Sequence, residues 1–195
     1  MKKPVRARFF VFVTIFFLCG SCWAEGAVSK RLQGIEFLTG FSHAKLNKVG
    51  NLNSIPLIVD FDFNLKPSIQ KKGFSVPGLL QFQLEPFISA IYKPDANVEL
   101  GNAFVIKAGI LPETWSFQPY VKAGLGLDYM TQHVKGQSTQ FNFFEYVGAG
   151  IHYFFNRHTT FTLEARFRHL SNADIKKPNH GVNTFFALTG ITYFF

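Results

Sequence analysis

Apolar and polar residues alternate with a period of two through most of the chain. In the segment 55–65 every odd position is apolar, and Asp60, Asp62 and Asn64 fall between them. Because successive side chains of a strand point to opposite faces, this alternation predicts a strand with one apolar and one polar face. Strand character also marks the segments 34–42, 80–92, 104–110, 117–129, 141–155, 161–168 and 185–195, of which 141–155 is glycine-rich and ambiguous in phase.

Turn signals separate several of these segments, as at Lys93-Pro94-Asp95 and Asn156-Arg157-His158, where proline, aspartate and asparagine favour a reversal. After residue 24 the sequence has no run of 18 apolar residues, which excludes a transmembrane helix there. The sequence therefore predicts an all-β fold, an eight-stranded antiparallel β-barrel formed by residues 25–195.

Eight amphipathic strands fit two kinds of barrel. A soluble, lipocalin-like barrel turns its apolar face inward, whereas an outer-membrane barrel turns that face toward lipid and encloses a polar interior. The polar face carries few charges but both signs, among them Glu85, Lys107 and Arg166, and the apolar face is rich in aromatic residues. The chain also ends on Phe195, as outer-membrane proteins commonly do. These features favour the outer-membrane barrel, with the soluble barrel as the alternative.

Residues 1–24 have the layout of a secretory signal peptide. Four bases and no acid occupy the first eight positions, the segment 9–18 is almost wholly apolar, and Cys22-Trp23-Ala24 offers small residues for cleavage. The apolar run is short for a spanning helix, which needs about 20 residues. A lipoprotein signal at Cys22 is the competing interpretation, weakened because Cys19 stands where leucine is expected. Cleavage after Ala24 leaves residues 25–195.

Removing this leader changes the charge and the cysteine content. The formal charge falls from +8 to +4, because the leader carries four bases and no acid, and nucleic-acid binding loses its main support. Both cysteines, Cys19 and Cys22, lie in the leader, so the mature chain has no disulfide. The histidines show no spacing typical of metal ligands, and we expect neither a metal nor a cofactor.

Three polar residues fall on the apolar side of the last two predicted strands. In the seventh strand the odd positions are apolar up to 167 and then continue to His169 and Ser171. In the eighth strand the odd positions, followed backward from 185, lead to Asn183. A hairpin centred on Lys176 would pair His169 with Asn183, and paired side chains share a face with Cβ atoms about 5 Å apart.

This cluster permits two interpretations. If both termini are periplasmic, the connection between strands seven and eight is extracellular, and the cluster lies at the outer-leaflet interface. Polar side chains are tolerated at that depth and commonly reach into the headgroups, so an ordinary interfacial position is one interpretation. The other is a functional site that faces lipid.

The segment around this cluster resembles a known family. His169-Leu170-Ser171-Asn172, followed by Pro178-Asn179-His180-Gly181, is similar to the PagL family of lipid A 3-O-deacylases, which are grouped with the acyloxyacyl hydrolase-like outer-membrane proteins. The resemblance extends over nearly the whole mature chain and includes the segments 34–37, 97–101, 118–126 and the phenylalanine-terminated last strand.

The resemblance implies a serine hydrolase on the outside of an eight-stranded barrel in the outer membrane, acting on lipid A of lipopolysaccharide. Ser171 would be the nucleophile, His169 the general base, and Asn172 a support for the oxyanion. As a carboxylic ester hydrolase, the protein would remove the 3-O-linked hydroxyacyl chain from lipid A. A homodimer is compatible with this interpretation.

The sequence departs from the family at Asn183, where the family's enzymes carry a catalytic glutamate. An asparagine carbonyl can fix the imidazole tautomer but supplies no negative charge. A catalytically weak or inactive barrel with a structural or surface-interaction role therefore stays as the alternative function. Asp174 in the following loop and, less suitably, Glu164 on the interior face are the substitute acids that the sequence offers.

Overall fold

The computed structural model describes residues 32–46 and 50–195, which form a closed barrel of eight antiparallel strands in which β1 also pairs with β8. The strands are β1 (Leu32–Leu46), β2 (Gly50–Asn64), β3 (Leu80–Lys93), β4 (Asn97–Gly109), β5 (Phe117–Met130), β6 (Phe141–Phe154), β7 (Thr159–Ser171) and β8 (Val182–Phe194), and a short helix, α1 (Lys66–Gln70), follows β2. Within these described ranges, no helix has the length and apolar character needed to cross a membrane. The predicted leader and both cysteines lie outside the described residues.

The outer surface of the barrel is apolar. Large hydrophobic side chains are exposed on every strand, among them Phe37, Leu57, Ile88, Phe104, Leu125, Val147, Leu163 and Phe185. The alternate positions point inward and carry most of the polar residues. A soluble, lipocalin-like barrel requires the opposite arrangement, so that alternative is wrong, and the faces are those of an outer-membrane barrel.

Ion pairs fill the barrel interior. Lys107 Nζ lies 2.7 Å from Glu36 Oε2, and Arg168 Nη2 lies 2.6 Å from Glu99 Oε1, with all four side chains buried. Lys122 contacts three more interior carboxylates, those of Asp60, Glu85 and Glu164, at 3.0–3.2 Å. Buried charges of this kind are stable only when they are paired, so the network ties strands on opposite sides of the barrel together.

An apolar cluster occupies the interior at the end of the barrel where β7 leads into β8. Leu170 and Val182 belong to this cluster, together with Met130, Phe144 and Val105, and all are buried. Because strand residues alternate, the inward anchoring of Leu170 and Val182 turns their neighbours His169, Ser171 and Asn183 to the outer face.

The structure adds details that the alternation did not predict. Strand β1 is longer than the segment 34–42, and α1 is a separate feature of the β2–β3 connection. In β6 the odd positions face outward, which settles the ambiguous phase. The pattern is interrupted by Gly148 and Gly150, which face the interior; at Gly150 the Tyr120 hydroxyl leaves no room for a Cβ atom.

A candidate hydrolytic site on the outer face

The β7–β8 hairpin pairs His169 directly with Asn183, as the sequence predicted. Their side chains meet on the outer face, with His169 Nδ1 2.6 Å from Asn183 Oδ1. An amide oxygen only accepts hydrogen bonds, so Nδ1 is the donor in this contact, and in the neutral imidazole Nε2 then carries the lone pair. The imidazole therefore has the tautomer that a general base needs.

Ser171 lies two residues beyond His169 on the same face of β7, at the end of the strand and partly buried. The structure brings His169 and Asn183 into contact, but among the described residues no hydrogen bond joins the Ser171 hydroxyl to the imidazole. Catalytic contacts are often longer in a free enzyme than in its substrate complex. The residues predicted for the nucleophile and base thus share one surface without forming a closed triad.

Gly181 packs against the imidazole. Its backbone has φ +69°, and a Cβ atom built on it would lie 2.6 Å from His169 Cε1 and 3.0 Å from Nε2. Both the left-handed backbone and the close approach require glycine. Gly181 therefore holds the His169 imidazole from one side and, because it has no side chain, leaves the space beside Nε2 open.

Asn172 is fully buried, and its N–H groups are engaged by the surrounding loop, whereas its Oδ1 has no hydrogen-bond partner among the described residues. Its side-chain amide donates to the Lys176 carbonyl at 2.8 Å and to Ser138 Oγ at 3.1 Å, and its backbone N–H donates to Asn179 Oδ1 at 3.0 Å. The side chain thus holds the β7–β8 connection in a defined shape next to Ser171.

The β5–β6 connection supports the β7–β8 connection from the side. The Ser138 N–H donates to the Pro178 carbonyl at 3.0 Å, and the His180 N–H donates to the Gly136 carbonyl at 2.9 Å. An isolated bridge between Gln137 and Asn179 lies between these two bonds. The loop that follows Ser171 is therefore hydrogen-bonded to the β5–β6 connection, a contact that the sequence pattern did not predict.

Neither substitute acid proposed from the sequence contacts His169. Glu164 is buried inside the barrel, where it accepts a hydrogen bond from the Tyr120 hydroxyl at 2.6 Å and pairs with Arg166. Asp174 is exposed, and its Oδ1 accepts from Lys177 Nζ at 2.8 Å and from Asn179 Nδ2 at 3.1 Å. These two hydrogen bonds, with the Lys177 charge, hold the pKa of Asp174 below its ordinary value.

Strand β6 contributes one carboxylate that was missed in the sequence. Glu145 is the register partner of His169 and faces outward. Both residues lie in an outer groove of about 450 Å³. The other groove residues that face outward are all apolar: Phe104, Ile106, Ala123, Leu125, Val147 and Phe167.

Over residues 32–46 and 50–195, no three His, Cys, Asp or Glu side chains gather as metal ligands would.

An eight-stranded barrel with an apolar outer surface and a histidine–asparagine pair at its rim belongs to the class of small outer-membrane barrels. Residues 59–192 match the family model "Lipid A 3-O-deacylase (PagL)", a range that includes His169, Ser171 and Asn183. The chain therefore belongs to the PagL family.

Solved structures agree on the fold. The crystal structure of the outer membrane enzyme PagL aligns with a TM-score of 0.56 and 19% identity, covering 80% of this chain and 97% of that one. Neisserial surface protein A aligns with a TM-score of 0.54 and 15% identity, covering 83% of this chain and 97% of its own. At such identities the likeness concerns the barrel alone. No curated protein matches the chain significantly.

Proposed function

We propose that the protein is an outer-membrane ester hydrolase that removes the 3-O-linked hydroxyacyl chain from lipid A. The observation that carries this proposal is the hydrogen bond between His169 and Asn183, made on the outer face beside Ser171. A site on that face suits a substrate that is itself a lipid of the surrounding leaflet. A signal peptide over residues 1–24 would direct export of the chain toward the outer membrane and would then be cleaved.

The reaction would follow the serine hydrolase scheme. The Ser171 hydroxyl gives its proton to His169 Nε2 while Oγ attacks the ester carbonyl carbon, and the carbonyl oxygen takes the negative charge. Collapse of this intermediate breaks the bond to the sugar oxygen, which leaves with the proton from His169. Water then attacks the acyl-serine with His169 again as the base, releasing the hydroxy acid and restoring the serine.

Asn172 is proposed to support the oxyanion. Its amide is held by the Lys176 carbonyl and Ser138 Oγ, so it would exchange one of these acceptors for the developing charge when substrate binds. The loop that Asn172 shapes also fixes the backbone immediately after Ser171.

The outer groove next to His169 fits the acyl part of the substrate. Its volume of about 450 Å³ and its wall of Phe104, Leu125 and Phe167 suit a hydrocarbon chain. A chain lying there would bring its ester carbonyl to the end of the groove that His169 occupies. The remaining acyl chains would stay in the bilayer, where the exposed apolar surface of the barrel already contacts lipid.

Asn183 favours a second candidate function, a weak or inactive family member with a structural role. An Asp-to-Asn change in the triad of trypsin-like proteases lowers kcat by roughly 10⁴, largely because the imidazole takes the wrong tautomer. In this protein the amide oxygen accepts from Nδ1, which is the favourable tautomer. The part of the kcat loss that comes from the wrong tautomer is therefore avoided, and an active hydrolase is the function that we favour.

Mass spectrometry of lipid A from cells expressing the wild type, Ser171→Ala or Asn183→Glu tests the proposal. We expect loss of one hydroxyacyl mass with the wild type and unmodified lipid A with Ser171→Ala. Modification only with Asn183→Glu would instead identify a dormant scaffold. Unmodified lipid A in all three strains, with each protein present in the outer membrane, would refute the esterase.

A further inference from the structure

We propose that Glu145 is a positioning residue that supplies, from the opposite side of the imidazole, the negative charge that Asn183 lacks. The inference rests on the proposed hydrolase and names a residue that acts through His169. The acid of this site would then stand on β6, whereas the family pattern places a glutamate on β8.

Glu145 is set apart by its place in the barrel. The other carboxylates on described strands, seven in number, are buried in the interior: Glu36, Asp60, Asp62, Glu85, Glu99, Asp128 and Glu164. Among the described residues, Glu145 is the one strand carboxylate that faces outward. Glu145 lies at the depth of His169, near the interface, where a charge costs little, so its significance comes from standing beside the imidazole.

The surroundings of Glu145 on β5 and β6 offer no other charge. Its strand neighbours on the outer face are Phe143 and Val147, and its register partner on β5 is Leu125. Within the described ranges Glu145 forms no ion pair with a lysine or arginine, and in the free protein it forms neither an ion pair nor a hydrogen bond with His169. The titratable side chain beside it is that of His169, its register partner on β7.

Register places three side chains in one row across the outer face. Glu145 pairs with His169, and His169 pairs with Asn183, so the register places His169 between Glu145 and Asn183. Directly paired residues have Cβ atoms about 5 Å apart, which lets their side chains reach each other when the imidazole becomes charged. The two partners are complementary: Asn183 fixes the tautomer through Nδ1, and Glu145 contributes charge.

The charge matters at one point of the reaction. When Ser171 gives up its proton, His169 becomes an imidazolium, and a neighbouring carboxylate stabilises this form. The other elements packed on the ring do not supply such a group. Strand β8 presents Asn183, the β7–β8 connection presents Gly181, and the His180 ring of that connection packs on Gly136.

The test compares purified wild type, Glu145→Gln, Glu145→Asp and the double variant Glu145→Gln/Asn183→Glu on lipid A in mixed micelles over a range of pH. Asp95→Asn, which removes an exposed carboxylate from the β3–β4 turn, is the matched control for a lost charge. Ser171→Ala measures the background, and thermal unfolding of each variant reports on folding.

We expect Glu145→Gln to lower kcat by about 10- to 100-fold, because the charged imidazole loses the stabilisation of a neighbouring carboxylate. The acidic limb of its pH–rate profile should move to lower pH, because the protonated imidazole loses a favourable partner. Glu145→Asp should retain part of the activity, and Asn183→Glu should restore the Glu145→Gln variant at least about tenfold by supplying the charge from β8.

Glu145→Gln within twofold of the wild type at every pH, with Ser171→Ala inactive, would overturn the role of Glu145 and leave the hydrolase standing. A uniform loss with an unchanged pH profile and no rescue by Asn183→Glu would also overturn it, since that result indicates a structural contribution. Equal, background-level release by the wild type and Ser171→Ala would overturn the hydrolase itself and this inference with it.

Discussion

Replacing Gly181 by alanine tests whether the position of the imidazole controls activity. The new Cβ atom would lie 2.6 Å from His169 Cε1, whereas ordinary contacts begin near 3.4 Å, so the ring must move by about 0.8 Å. A displacement of about 1 Å can cost roughly 10² in rate, or about 2.7 kcal/mol of transition-state stabilisation. We expect kcat to fall by about that factor.

The matched control is Gly73→Ala in the β2–β3 connection. Gly73 has φ +84°, and no atom lies within 4 Å of the position that its Cβ atom would take, so alanine there carries the backbone strain without a collision. Each variant should lose about 1–2 kcal/mol of stability through the left-handed backbone. The assay is release of hydroxy acid from lipid A in mixed micelles, with thermal unfolding in detergent as the measure of folding. If Gly181→Ala were as active as Gly73→Ala, the position of the imidazole would not control activity.

Three further variants test the scaffold and the loop. Lys107→Met leaves Glu36 buried without its cation and should lower the free energy of unfolding, measured in denaturant, by about 3–5 kcal/mol. Unchanged stability would mean that this interior ion pair does not stabilise the barrel. Asn172→Ala removes the hydrogen bonds that hold the β7–β8 connection, so amide exchange at 173–180 should speed up while strand amides stay protected; unchanged exchange would contradict this role. Asp174→Asn should leave the deacylation rate within about twofold, because exposed ion pairs contribute little and Asp174 does not contact His169; a larger loss would restore it as a candidate acid.

Much of the fold follows from the sequence because a strand with one lipid face and one interior face must alternate. The same rule predicted the outer position of His169, Ser171 and Asn183, and the symmetry of the hairpin about Lys176 predicted the pairing of His169 with Asn183. The face on which each of these side chains lies depends only on the alternation along its strand, which can be read from a single sequence.

Glu145 was missed although a comparable signal existed. The turn at 156–158, taken as centred on Arg157, would pair 145 with 169 by the same symmetry, and the structure has that register. Alternation in β6 is obscured where Gly148 and Gly150 replace larger interior residues, so the outer parity of Glu145 was not apparent. The contacts between the β5–β6 and β7–β8 connections could not be predicted, because they depend on the closure of the barrel and not on any local pattern.

In the proposed reaction, Ser171 attacks the acyl carbonyl of the lipid A ester. Deacylation by the purified wild type and by Ser171→Ala in water enriched in ¹⁸O tests this attack, because the label shows which bond of the ester breaks and the variant shows whether the cleavage needs Ser171. The released acid and the deacylated lipid are analysed by mass spectrometry. We expect the wild type to release a hydroxy acid with ¹⁸O in its carboxyl group and to leave the sugar hydroxyl unlabelled, while Ser171→Ala releases none. Label in the sugar hydroxyl would exclude attack on the acyl carbonyl, and equal release by Ser171→Ala would exclude Ser171 as the nucleophile.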